Sequence, residues 1–178
     1  MTIPPSQRST QHVGMLYHTN PWKGTDIGIK ALSIVKEEKP SLEATLFGAP
    51  PRGQDIPQWI DYLRLPSPPS LQAFYNSCAI FVHPSTSEGW PRPPAEAMAC
   101  GAALMAAGNE CVRDYALNGK NALLSAPGDA EALAANILEL IRKSTLRIQL
   151  AQKGCQDIRQ YTWERATTAF EQALLKAM

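Results

Sequence analysis

"SEGWPRPPAEAMACG", residues 87–101, separates two apolar runs, AIFVHP (79–84) and AALMAA (102–107). The first run is short and rich in β-branched and aromatic residues, and it reads as a buried strand. The second is open between a strand and another kind of buried run, because periodicity alone does not separate them. Between the two, Pro93 or Pro94 suits the first turn of a helix, and PAEAMAC is rich in helix formers. The small residues Ala97, Ala99 and Gly101 let that helix lie close on a sheet. Strand, loop, helix and apolar run in immediate succession are the unit of an alternating α/β chain.

The same unit recurs on both sides. HVGMLYH (12–18) reads as a strand, and Thr25 or Asp26 is placed to cap the helix after it. Ile27, Ala31, Ile34 and Val35 then share one helical face, and Pro40 ends the helix. LEATLFG (42–48) and QWIDYLRL (58–65) read as strands, SLQAFYNSC (70–78) as a short helix, and NALLS (121–125) as the last strand. Gly128-Asp129 caps a helix carrying Leu133, Ile137, Leu140 and Ile141 on one face; a second runs over roughly 144–158 and a third starts near Thr162–Glu164. Alternation followed by helices predicts an α/β fold: a Rossmann-like, doubly wound parallel sheet with two or three C-terminal helices. The expected division is a lead-in or linker at 1–11, the Rossmann-like domain at 12–143, and the C-terminal helices at 144–178.

Composition narrows the function classes. The 178 residues are 44% hydrophobic and 19% charged, with a net charge of +1, which excludes a disordered chain and broad electrostatic attraction to nucleic acid or an anionic membrane. An anion must therefore be held by a local site. Cysteines 78, 100, 111 and 155 form no C-x-x-C pair and have no histidine at ligand spacing, so no metal site is expected. Cys78 and Cys100 read as buried thiols, consistent with a reducing, cytoplasmic setting. No stretch approaches the roughly 18 apolar residues of a membrane span, and MTIPPSQRST carries no secretory pattern.

Ligands of a doubly wound sheet bind outside the carboxyl ends of its strands. Three loops should open there: YHTNPWKG (17–24), HPSTSEGWPRPP (83–94) and AAGNECVRDYA (106–116). Lys23, ahead of a helix, can reach a phosphate over the helix N-terminus, and Gly24 lets backbone pass close; a solvated lysine beside a turn glycine is the plainer alternative. Glu88 and Glu96 can bracket a polar ligand, since carboxylates accept pairs of hydrogen bonds from the vicinal hydroxyls of a ribose or hexose. Two exposed glutamates explain the bare spacing equally well. Of the histidines, His12 reads as structural, His83 ends a strand at the ligand edge, and His18 sits in the Lys23 loop.

SEGWPRPPAEAMACGAALMAAGNECVRDYALNGKNALLSAPGDAEALAANI (87–137), with VGMLYHTNPWKGTDIGIKAL in front and YTWERATTAFEQAL behind, resembles the C-terminal, nucleotide-sugar-binding half of the retaining GT-B glycosyltransferases of family 4. The resemblance covers 12 to about 175. It implies catalytic roles for Lys23 and Glu88, the lysine on the diphosphate and the glutamate on the donor-sugar hydroxyls. It implies a donor-binding set of Gly14, Lys23, Glu88, Gly89, Trp90, Arg92 and Glu96, with Glu96 on the ribose hydroxyls and the segment 50–63 walling the base. No cofactor or metal is implied, the nucleotide-diphospho-sugar being the substrate.

The implied function is donor binding in sugar transfer to a glycan, lipid-linked or polysaccharide acceptor. The alternative is a nucleotide-sugar-binding module without turnover. The implied partners are the nucleotide sugar, an acceptor and an N-terminal acceptor domain, with the full-length protein in the cytoplasm or peripheral at the inner face of the membrane. The final helices would cross to that domain and leave Trp163, Phe170 and Leu174 uncovered here. Two positions depart from the family pattern. Met15 stands where an arginine usually joins the lysine, and Pro91, which has no N–H, stands for a glycine; Arg92 is a candidate substitute cation. A receiver or flavodoxin-like domain would need an acidic cluster or phosphate loop near the first strand, and the sequence has neither.

Overall fold

A computed structural model describes residues 4, 8, 9 and 11–177. Its strands are β1 (His12–Leu16), β2 (Glu43–Gly48), β3 (Ile60–Arg64), β4 (Ile80–His83), β5 (Ala103–Ala107) and β6 (Ala122–Ser125). Its α-helices are α1 (Thr25–Glu38), α2 (Pro68–Ser77), α3 (Arg92–Ala99), α4 (Ala130–Arg142), α5 (Ser144–Ile158) and α6 (Trp163–Ala177). The sheet is parallel throughout, in the order β3-β2-β1-β4-β5-β6. The winding direction reverses between β1 and β4, and a crevice opens at such a reversal.

Each expected strand forms, and the ambiguous run 102–107 becomes β5, fully buried between β4 and β6. Such a strand has apolar layers on both faces and no alternation to betray it. Strand parity divides the core. Val13, Met15, Leu46 and Ile60 meet Leu32, Val35 and Ile137 on one face, while Phe47, Phe81 and Leu104 meet Phe74, Tyr75 and Met98 on the other.

Helix starts follow local chemistry. Asp129 caps α4 as expected, its side chain accepting from the Ala132 N–H at 2.9 Å. The expected cap of α1 by Thr25 or Asp26 is not found. The N-cap is Gly24, left-handed at φ 63°, and no side chain caps it. Thr25 is committed elsewhere: its hydroxyl donates to the His18 carbonyl at 2.8 Å and accepts from the His18 N–H at 3.1 Å. Met15 lies wholly inside the core, its thioether against Gly28 of α1.

The lead-in is not loose at Arg8. Its buried guanidinium donates to the carbonyls of Tyr75 (3.0 Å), Cys78 (2.7 Å) and Cys100. These carbonyls lie at the ends of α2 and α3, where free C=O groups and the helix dipole favour a cation. The rest of the expected lead-in, apart from residues 4, 9 and 11, lies outside the described residues.

At the other end, α5 packs on α3 and β5, and its buried Arg147 donates to the Leu140 carbonyl at 2.8 Å. By contrast α6 buries no residue; Trp163 is 81% exposed, and Phe170, Leu174 and Leu175 are exposed beside it. Among the described residues no helix is long and apolar enough to cross a membrane.

Candidate functional site

At the carboxyl edge, β1 and β4 end side by side. The chain leaving β1 makes a 3-10 turn over Pro21–Lys23 and enters α1 through Gly24. A Cβ on Gly24 would collide with the Pro84 carbonyl, so this close approach and the positive φ both require glycine. The loops are stitched together by the Thr86 N–H and the Ser85 hydroxyl, which reach the Trp22 carbonyl at 2.8 and 2.9 Å.

That stitching brings Lys23 onto Glu88. The ammonium donates to both carboxylate oxygens at 2.8 Å, with side-chain exposures of 23% and 11%. An ammonium has three N–H donors, so one remains for another acceptor. Ser85 Oγ lies 2.8 Å from Glu88 Oε1 as well as near the Trp22 carbonyl and, at 3.3 Å, the Ser87 carbonyl. Its single proton serves one of the three at a time.

The third loop closes the group. Asn109 Nδ2 donates to the Ser85 carbonyl at 2.8 Å, Asn109 Oδ1 accepts from the Val112 N–H at 2.9 Å, and Cys111 Sγ lies 2.6 Å from the Glu88 carbonyl. The three loops singled out by sequence therefore meet on one edge. His83 lies beneath, buried at the end of β4, with Nε2 3.9 Å from Glu88 Oε1 and no hydrogen-bond partner among the described residues. Burial and, to a smaller extent, the Lys23 charge push its pKa down to about 4 against the pull of Glu88.

Glu96 is exposed on α3, and its Oε2 accepts from the Tyr75 hydroxyl of α2 at 2.9 Å. Burial first, and then the Glu96 charge, raise the Tyr75 pKa far above its ordinary value, so that hydroxyl stays protonated. The Trp90 ring packs on Tyr115 and Tyr161, with centroids 5.1 and 5.7 Å away, and Tyr115 donates to the Pro91 carbonyl at 2.9 Å. Arg92 is the exposed first residue of α3, and Gly89 has open space where a Cβ would stand. Trp90, Arg92, Glu96, Tyr161 and Trp163 are among the residues bordering a groove of about 770 Å³ between α3 and α6.

Gly14 stands apart from this edge. It lies within β1 under α2, and the space where its Cβ would be is taken by Phe74 and Cys78. His12 Nε2 pairs with Thr45 Oγ1 at 2.9 Å, a bond between strands, and His18 Nδ1 accepts from the Asn20 N–H within its own loop. The segment 50–63 is organised by Arg52, which donates to the Ile60 and Pro57 carbonyls, and is tied to the loop after β1 by Tyr17 on Asp55 at 3.0 Å. Among the described residues no group of three or more His, Cys, Asp or Glu is placed to hold a metal. Sequence reasoning missed Ser85, Asn109 and Tyr75; for Ser85 and Asn109 the available signal was a small polar residue just past a buried strand end, and Tyr75, inside α2, gave none.

The fold has close counterparts. Superposition on TarM gives a TM-score of 0.83 over 97% of this chain and 36% of TarM, at 17% identity. Anabaena HepE in complex with UDP-glucose gives 0.79 over 98% of this chain and 50% of that protein, at 22% identity. The C-terminal domain of the Francisella tularensis glycosyl transferase group 1 protein LpcC gives 0.74 over 86% of both chains, at 23% identity. In sequence, the chain is 30% identical over 110 residues to the O-antigen chain mannosyltransferase B of Escherichia coli, covering 62% of this chain and 28% of that protein. It is 35% identical over 86 residues to the Campylobacter jejuni N,N'-diacetylbacillosaminyl-diphospho-undecaprenol alpha-1,3-N-acetylgalactosaminyltransferase, covering 48% of this chain and 23% of that protein. The chain thus spans about a quarter of the length of these curated relatives. Residues 8–143 match the family described as glycosyl transferases group 1, and with the GT-B-type Rossmann sheet already in place, the chain belongs to that family.

Proposed function

We propose that this chain is the donor-binding half of a retaining, metal-independent glycosyltransferase of family 4, acting from a nucleotide-diphospho-sugar on a glycan or lipid-linked acceptor. The observation that carries the reading is the meeting of Lys23 and Glu88 at the β1/β4 reversal. A cation and a carboxylate fixed side by side there suit a ligand with a diphosphate at one end and hydroxyls at the other. Lys23 meets the diphosphate with its free N–H, or leaves Glu88 for it, and stabilises charge developing on the leaving group. Glu88 accepts from the sugar hydroxyls. Glu96, held by Tyr75, accepts from the ribose hydroxyls. Gly89, Trp90 and Arg92 border the sugar and phosphate, and the segment 50–63 faces the base.

The acceptor half is supplied by a further domain, and the uncovered apolar face of α6 packs against it. The uncharged Met15, buried in the core, and Pro91, with no N–H to offer, favour a second reading: a module that holds a nucleotide sugar without turning it over. The test is a thermal-shift panel of UDP, GDP, ADP, CDP and dTDP on the wild type and on Glu96→Ala and Glu88→Gln. One nucleotide should raise the melting temperature of the wild type and lose most of that effect in Glu96→Ala. No stabilisation by any of the five at millimolar concentration rejects donor binding by this chain. Turnover in the presence of the acceptor domain separates the two readings.

A further inference from the structure

The Lys23–Glu88 pair leaves one group without a partner. His83 is 3% exposed, its Nε2 has no hydrogen-bond partner among the described residues, and that atom lies 3.9 Å from Glu88 Oε1. A buried polar nitrogen without a hydrogen bond is costly, because its lost hydration is not replaced. The distance is about one ångström too long for a hydrogen bond. Glu88 is held off by Lys23, which takes both its oxygens.

We propose that His83 is a positioning residue that takes over Glu88 when Lys23 is drawn away, so that the carboxylate stays aimed at the donor sugar while the lysine serves the diphosphate. This rests on the donor-site reading above. In the free protein the lysine neutralises Glu88 and the imidazole stands idle. With Lys23 turned to a phosphate, Glu88 Oε1 moves onto Nε2–H. One proton donor replaces another, and no bond to carbon or phosphorus is made or broken in the exchange. Burial and the Lys23 charge hold His83 neutral in the free protein. The charged groups acting on it are Lys23 from the 3-10 turn and Glu88 from its own loop. On the neighbouring strands Ala106 of β5 is its register partner and β1 ends in Leu16, neither of them titratable.

The test is imidazole ¹⁵N NMR of the 178-residue chain, wild type and Lys23→Met, over pH 3.5–8. Lys23→Met should move the Nε2 resonance of His83 to a hydrogen-bonded position. It should also raise the His83 titration midpoint by about one to three pH units, as an opposite charge at contact distance does. The double variant Lys23→Met/Glu88→Gln should cancel the rise. Lys23→Gln is a second variant in case Lys23→Met does not fold, and His83→Gln marks the assignment.

Midpoints unchanged in Lys23→Met overturn the proposal. The ligand arm adds UDP, GDP, ADP, CDP or dTDP to the wild type. A nucleotide that binds should reproduce the Lys23→Met displacement, and binding without it overturns the proposal. If none binds while the Lys23→Met displacement stands, donor binding is rejected and the His83–Glu88 contact is supported.

Discussion

Met15 and Gly28 interlock: the thioether on β1 fills the notch that the missing side chain of Gly28 leaves in α1. The position at which the family pattern usually carries a cation is therefore part of the core. Met15→Arg should bury an unpaired guanidinium and cost on the order of 3 kcal/mol rather than restore a phosphate ligand. Gly28→Ala gains about 1 kcal/mol of helix propensity and loses about 1–3 to overpacking, so its net effect should be a modest loss. Urea denaturation of both variants checks the signs, and a Met15→Arg chain as stable as wild type would contradict this packing.

Lys23→Met should weaken nucleoside diphosphate binding at least about tenfold, equivalent to about 1.4 kcal/mol. Titration calorimetry against the responding nucleotide measures it. An unchanged affinity would remove Lys23 from the site.

Acid should destabilise the fold through His83. Its pKa falls from the ordinary 6.5 to about 4 on folding, so the unfolded chain binds the proton first. Its contribution is fully present above pH 6.5 and is lost as the pH falls through that window toward 4. The slope for one proton is at most about 1.4 kcal/mol per pH unit. Comparing urea midpoints at pH 7, 5.5 and 4.5 should show this loss in wild type and a flatter profile in His83→Leu.

Leu65 follows β3 with φ at 45°, a left-handed conformation that a branched side chain adopts at a cost of about 1–2 kcal/mol. It is exposed, so little packing is lost on replacement. Leu65→Asn should raise the melting temperature, because asparagine tolerates this conformation. A fall on substitution would mean that the leucine makes contacts worth more than the strain.

The bare face of α6 should drive self-association of the chain at high concentration. Phe170→Lys with Leu174→Lys should lower the sedimentation-average mass without lowering the melting temperature, since neither residue is buried.

The sheet was legible because most strands are compact apolar runs between prolines, glycines or polar turns while 58–65 alternates, and 102–107 was ambiguous only for want of alternation. The α1 cap was misread because Thr25 looks like a capping residue, whereas its hydroxyl is held by His18, seven residues back. The three loops could be named from strand ends, but the pairing of Lys23 with Glu88 joins residues 65 apart, and no local pattern encodes it. The burial of Met15 follows from strand parity, which sets it on the α1 face with Val13 and leaves Gly14 facing α2. Arg8 gave no signal, since the carbonyls of Tyr75 and Cys78 that it binds are backbone groups any sequence would supply.

That guanidinium has a mechanical consequence. Cys78 and Cys100 lie shortly ahead of β4 (Ile80–His83) and β5 (Ala103–Ala107), so the clasp sits at the amino edge of the sheet, opposite Lys23 and Glu88. Tension applied to the chain ahead of β1 is taken by the ends of α2 and α3 before it reaches the strand. The load path from Arg8 thus runs to the amino edge and bypasses the carboxyl edge that holds Lys23 and Glu88.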